Sequence, residues 1–205
     1  MIVTRLRVWV ACIVTTLLVI GCASRGPLDD YQQLVPTTVM EQPRAQPSAY
    51  PPEAVEHGKY LISLLGCGTC HTDGALIGEA NRQRLLAGSG IGIAYSNPLI
   101  EKNPGVVYPP NLTPDPETGI GNRSDQQIIN MIRTGTDKHG ASTLGVMPWP
   151  AYTIITDDDA HAIAAYLKSL PPVKHRVPAN VRVGQKATAP FVHFGIYRSK
   201  ALIDK

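Results

Sequence analysis

Cys67-Gly68-Thr69-Cys70-His71 gathers the most reactive side chains of the sequence into five positions. Two thiols three residues apart, with an imidazole directly after them, fit the C-x-x-C-H pattern of covalent haem attachment. Each thiol can add to one vinyl group of the same porphyrin. The imidazole is then held below the ring, facing the iron. A dithiol redox pair would want a strand before it and a helix after it. Here an apolar helical stretch precedes and a glycine-rich stretch follows. A structural zinc site would need a second ligand pair, and the other two cysteines, Cys12 and Cys22, lie in the N-terminal segment. A plain disulfide between Cys67 and Cys70 is the remaining alternative.

A second axial ligand has to come from elsewhere. Met147 stands in Gly145-Val146-Met147-Pro148-Trp149-Pro150, where prolines hold the chain stiff and suit a thioether presented at fixed distance. Met40 falls in a linker, and Met131 lies on a helical stripe where methionine usually fills core. His139 is the rival ligand and would make a bis-histidine centre. His57, His161, His175 and His193 read as surface residues. Asp115, Glu117, Asn122 and Asp125 fail the EF-hand spacing, and Pro116 interrupts them. Gly88-Ser89-Gly90-Ile91-Gly92 has no strand before it and reads as a flexible loop, not a dinucleotide fingerprint.

Three helices must position these residues. The first is predicted over 53–65, with Ala54, Gly58, Leu61, Ile62 and Leu65 on one face and Gly66 as its stop. The second is predicted over 125–134, opened by the capping-box pair Ser124 and Gln127 and closed by Gly135. The third is predicted over 157–170, with Ala160, Ile163, Ala164, Leu167 and Leu170 buried and Pro171-Pro172 as the stop. Its small alanines suit close approach to Gly58. Residues 72–110 read as a long Gly- and Pro-rich loop, and no strand pattern stands out.

The N-terminal end differs from the rest. Arg5 and Arg7 precede an uncharged run of thirteen residues, Val8 to Ile20, the length of a signal-peptide core. Leu18-Val19-Ile20-Gly21-Cys22 resembles a bacterial lipobox, so residues 1–21 read as leader and Cys22 as the lipidated first mature residue. Loss of the leader lowers the net charge from +3 to 17 − 16 = +1. That near-neutral balance argues against nucleic acid as a partner. Residues 22–52 carry scattered prolines and read as an extended linker. At roughly 3.1 Å per residue its upper reach is on the order of 90 Å. Residues 53–175 form the expected domain and 176–205 a tail, in which 191–197 is a candidate docking segment.

An apolar helix, C-x-x-C-H, Met-Pro and a last amphipathic helix together resemble class I cytochrome c over residues 53–173. The resemblance is closer to cytochromes found with periplasmic membrane-bound dehydrogenases. It is carried by Asn111-Leu112-Thr113-Pro114-Asp115, Thr118-Gly119-Ile120-Gly121 and Tyr166-Leu167-Lys168-Ser169-Leu170-Pro171-Pro172. It implies an all-α fold around one covalent haem c, with His71 and Met147 on the iron. It also implies that the Pro110 carbonyl accepts a bond from the histidine Nδ1–H and that Leu112 packs on the ring. The implied function is one-electron relay, not catalysis, between a dehydrogenase or other donor and a respiratory acceptor such as a terminal oxidase. The expected location is the bacterial periplasm, lipid-anchored to a membrane, with the outer membrane as one destination. Many of those cytochromes carry three C-x-x-C-H motifs where this sequence has one. A haem enzyme or gas sensor, with a labile distal ligand, is the alternative from another class.

Overall fold

The structure is a computed structural model and describes residue 26, residues 28–135 and residues 146–195. The chain divides into two units, 1–33 and 34–205. In the first, the described residues form a turn, with Asp29 N–H on the Gly26 carbonyl and Tyr31 N–H on that of Leu28.

The second unit holds α1 (Pro52–Leu64), α2 (Cys67–His71), β1 (Gly92–Tyr95), α3 (Asp125–Thr134), α4 (Trp149–Tyr152), α5 (Asp157–Lys168) and β2 (Phe191–Phe194). Proline stands at the first position of α1, where its missing N–H costs nothing. The predicted capping box opens α3, with both reciprocal bonds between Ser124 and Gln127. The Thr156 side chain accepts the Asp159 N–H at the start of α5. This helix ends two residues earlier than predicted, because Ser169 turns its Oγ back on the Ala165 carbonyl.

The main core forms where α1 crosses α5. Ile62, Ile128, Ile129, Ile163, Tyr166 and Leu167 are all buried in it. Gly58 sits at the crossing. A β-carbon there would fall 1.9 Å from the Ala162 carbonyl oxygen and 2.8 Å from the Tyr166 β-carbon. Only glycine allows the backbones this near.

Two expectations are corrected. The fold is not purely helical: β1 and β2 pair in parallel, Gly92 opposite Phe191 and Tyr95 opposite Phe194. Four-residue strands made from a stretch as mixed as Gly92-Ile93-Ala94-Tyr95 show no clear alternation, so periodicity misses them. Residues 72–110 are also not one loose loop. They place Leu76, Leu86, Ile93 and Val106 in buried positions. Ala94, Val106 and Tyr108 build a second small core with Val177, Val181, Ala187, Ala189 and Phe191 from the tail. The Gly88–Gly92 stretch, expected to be flexible, is held by Ser89 N–H on the Pro109 carbonyl at 3.0 Å and runs into β1.

Residues 34–51 have no helix or strand, as their prolines require, yet they are not free. Thr37 N–H reaches the Ala75 carbonyl at 2.8 Å and Gln46 N–H that of Ser169 at 2.7 Å. The hydroxyl of Tyr166 donates to the Pro43 carbonyl and that of Tyr50 to Asp125. Few large side chains are needed for this docking, because backbone groups and tyrosine hydroxyls supply the partners. No helix among the described residues is long and apolar enough to cross a membrane.

Candidate haem site

Gly66, in the left-handed conformation at φ 66°, ends the approach from α1 and starts the short helix α2. One helical turn therefore holds Cys67, Cys70 and His71. Both cysteines are half-buried free thiols. Burial pushes the Cys67 thiol up to about 12 and raises that of Cys70 as well. Thiols kept protonated in this way are unlike the low-pKa thiolate of a dithiol redox pair.

His71 is oriented through its backbone and its ring together. Its Nδ1 lies 2.8 Å from the Pro110 carbonyl oxygen, which acts as acceptor and so fixes the tautomer. Its carbonyl accepts the Gly88 N–H at 2.8 Å. Burial holds the imidazole below its ordinary value, while the Pro110 bond pulls the other way. A neutral ring with Nδ1 engaged leaves Nε2 as the nitrogen that could take a metal.

The acceptor itself is braced. Residues 86–89 run between the haem motif and the Pro110 turn and bond both. Leu86 N–H donates to Thr72 Oγ1, and its carbonyl accepts the Leu112 N–H. Leu86 is fully buried at φ 59°, a left-handed conformation that is rare for a large side chain. Gly88, at φ 86°, would place a β-carbon 2.8 Å from the Asn111 nitrogen, so the strip fits against the turn only without one. The buried Asn111 amide donates to the Val173 carbonyl at 2.8 Å and to Thr118 Oγ1 at 3.0 Å. Asp115 accepts the Thr118 hydroxyl and N–H, both at 2.7 Å, and these bonds hold its carboxyl below the usual range. Of the residues that fail the EF-hand spacing, Asp115 thus holds its own turn, while Glu117 pairs with Lys174 at 2.7 Å and Asp125 accepts the Tyr50 hydroxyl. Leu112 packs, partly buried, against the main core.

His175, expected at the surface, is half-buried, its Nδ1 at 2.9 Å from the Ala87 carbonyl. No sequence signal marks it, because its partner lies 88 positions away. His193 is also half-buried, with Nδ1 3.0 Å from Ser96 Oγ. His57 and His161 are exposed, the first paired with Asp159 at 2.7 Å. Met40, expected in the linker, has its methyl carbon 2.7 Å from where a Gly68 β-carbon would stand, so the linker packs on the attachment turn.

Met147 is half-buried in the turn before α4. Tyr152, at the end of that helix, has its hydroxyl raised by burial first and then by the nearby Cys67 and Cys70. Arg133 carries no sequence signal, yet it is well engaged. Its Nη2 donates to the Ile155 carbonyl at 2.7 Å and to Asp157 at 2.8 Å. It ties the end of α3 to the start of α5, closing the base of the segment that carries Met147. Its Nε is buried without a partner among the described residues. His139 and Cys22 lie outside the described residues.

Free thiols, a half-buried imidazole with its second nitrogen uncommitted and a braced orienting carbonyl fit a covalently attached haem. A single helical turn carrying Cys67, Cys70 and His71, with the Pro110 carbonyl on the histidine ring, defines a c-type cytochrome domain. The chain belongs to the cytochrome c family, whose profile matches residues 55–171. It is 34% identical over 113 residues to the cytochrome c subunit of the quinone alcohol dehydrogenase of Gluconobacter oxydans (strain 621H), covering 55% of this chain and 20% of that one. It is 33% identical over 129 residues to the fructose dehydrogenase cytochrome subunit of Gluconobacter japonicus, covering 60% and 24%. It is 31% identical over 112 residues to the gluconate 2-dehydrogenase cytochrome c subunit of Pantoea cypripedii, covering 55% and 22%. The matched stretch thus spans a quarter or less of each of these relatives.

Proposed function

We propose that this protein is a one-electron relay, with a single haem c on Cys67 and Cys70 and with His71 and Met147 as axial ligands. The bound haem supplies the one-electron iron couple. The chain's part is to fix the imidazole through Pro110, to exclude water with Leu112 and the main core, and to hold the methionine loop at its base. The observation that carries this reading is the 2.8 Å contact between His71 Nδ1 and the Pro110 oxygen beside two free thiols. It readies Nε2 for iron and nothing else nearby calls for it. A Met147 thioether would complete the ligand set with the His71 imidazole and would raise the potential relative to a second histidine.

The donor is inferred to be a dehydrogenase, because the named relatives are subunits of such enzymes. The acceptor is inferred to be respiratory. Lipidation of Cys22 would keep the domain at a membrane facing the periplasm, since two or more acyl chains anchor stably where one does not. Acid–acetone extraction tests the reading. Haem should stay with the polypeptide, and alkaline pyridine should report one c-type haem per chain. Haem lost to the solvent, or two haems per chain, would overturn it. The Cys22→Ala protein, exported from a cleavable signal, should be haem-loaded and leave the membranes in a salt wash; retention would reject the lipid anchor.

A further inference from the structure

Two turns far apart in sequence stand side by side beyond the β1–β2 pair. In the first, the Asn97 carbonyl accepts the N–H groups of Ile100 and Glu101, at 3.1 and 2.9 Å. The Asn97 side chain accepts the Leu99 N–H at 3.0 Å. In the second, Gln185 N–H closes on the Arg182 carbonyl at 3.1 Å. Gly184 N–H joins the two through the Asn103 carbonyl at 2.9 Å, and Val106 and Val181 exchange both backbone bonds behind them. Both turns are therefore braced, and what they present is fixed.

They present aliphatic side chains to water. Leu99 is 52% exposed, Ile100 78% and Val183 76%. Beside them Lys102, Arg182 and Lys186 are exposed, and none forms an ion pair among the described residues. Glu101 is the only acid in the two turns, and from Lys174 to Gly195 the chain has none. Aliphatic tips with a cationic flank are a pattern that a water-facing loop has no reason to keep.

We propose that these two turns form a reversible contact surface for an anionic phospholipid bilayer. Leu99, Ile100 and Val183 enter the headgroup layer while Lys102, Arg182 and Lys186 meet the phosphates. Apolar area and cationic charge act together in such binding. Exposed aliphatic tips on turns favour lipid over an acidic protein partner. Protein hot spots are buried aromatic or arginine anchors fitted to pockets, whereas these tips are short aliphatics on turns. The surface does not depend on lipidation of Cys22, and its failure would leave the haem reading untouched.

The test uses haem-loaded Cys22→Ala protein, sedimented with extruded vesicles at low ionic strength. Vesicles of mixed phosphatidylcholine and phosphatidylglycerol should bind it about tenfold better than phosphatidylcholine alone, and added salt should remove the difference. The triple variant Lys102→Glu, Arg182→Glu, Lys186→Glu should lose that preference. The pair Ile100→Ser, Val183→Ser should weaken binding several-fold at unchanged charge. An unchanged absorption spectrum certifies that each variant is folded. Equal binding to both vesicle types overturns the proposal, as does a charge variant that binds like the parent. So does a charge variant that slows electron exchange with an acidic protein while binding vesicles normally.

Discussion

Gly58→Ala is the most informative single change, because two effects of known sign oppose each other there. In an exposed helix interior this change stabilises by about 1 kcal/mol, since glycine is the poorer helix former. At position 58 the added carbon would lie 1.9 Å from the Ala162 oxygen, 2.6 Å from the Ala162 carbon and 2.8 Å from the Tyr166 β-carbon. Ordinary contact needs about 3.4 Å or more, so α5 has to move by well over 1 Å, and the first two obstacles are backbone. Overpacking that side chains can partly absorb costs typically 1–3 kcal/mol; backbone obstacles place this case near or above the upper figure. Subtracting the helix gain of about 1 kcal/mol leaves a net loss of roughly 2–3 kcal/mol. At about 2–4 °C per kcal/mol for a chain of this size, the melting temperature should fall by roughly 4–12 °C. Thermal unfolding of the haem-loaded protein, followed by circular dichroism, measures it. A variant as stable as the parent, or more so, would show that the crossing of α1 and α5 is not backbone-limited and would refute this account of their packing.

Met147→Ala should abolish the weak sulfur-to-iron band near the red end of the oxidised spectrum, lower the potential and open the iron to cyanide; His139→Ala should change none of these, and the reverse outcome reassigns the ligand. Arg133→Gln should loosen the base of the methionine loop. Hydrogen bonds from a charged donor are worth about 1.5–3 kcal/mol, and the exposed Asp157 contact adds little. A weakening near the lower figure corresponds to about one pH unit. A pH titration of the red band should therefore lose the methionine about one unit lower than in the parent, and an unmoved midpoint removes Arg133 from this role. Asp115 has a carboxyl depressed in the folded state, so its contribution to stability is present above the unfolded value and fades as pH falls through the folded one. Asp115→Asn should thus cost stability at pH 7, and the gap should close below about pH 4 in parallel denaturant curves; a constant gap would mean that shape, not charge, matters there.

What the sequence made legible was local. The capping box at Ser124, the stripe of α5 and the spacing of Cys67, Cys70 and His71 each depend on residues within four positions of one another. Gly58 was legible through its place on an apolar face, although the identity of its partner needed the alanines of α5. The missed features join distant residues. Asn111 meets Val173, His175 meets Ala87 and Arg133 meets Ile155, at separations of 62, 88 and 22 positions. Nothing in composition announces such pairs. The strands were missed for a related reason, since β1 is specified by what lies on either side of it. The docking of residues 34–51 was hidden by their prolines, which forbid helix but leave backbone carbonyls free to accept.

That docking bears on kinetics. If Cys22 holds the chain to a bilayer, the length between anchor and domain is not the thirty residues up to Pro52 but at most the fifteen up to Thr37, because Thr37, Pro43 and Gln46 are already bonded to the domain. At roughly 3.1 Å per residue, the upper reach falls from on the order of 90 Å to on the order of 45 Å. Effective concentration near an anchor falls roughly as the −3/2 power of tether length, so halving it raises that of the haem domain by about threefold. A short leash of this kind favours collisions with partners whose own redox sites lie close to the membrane surface. It disfavours any partner that would need the domain to stretch across the periplasm.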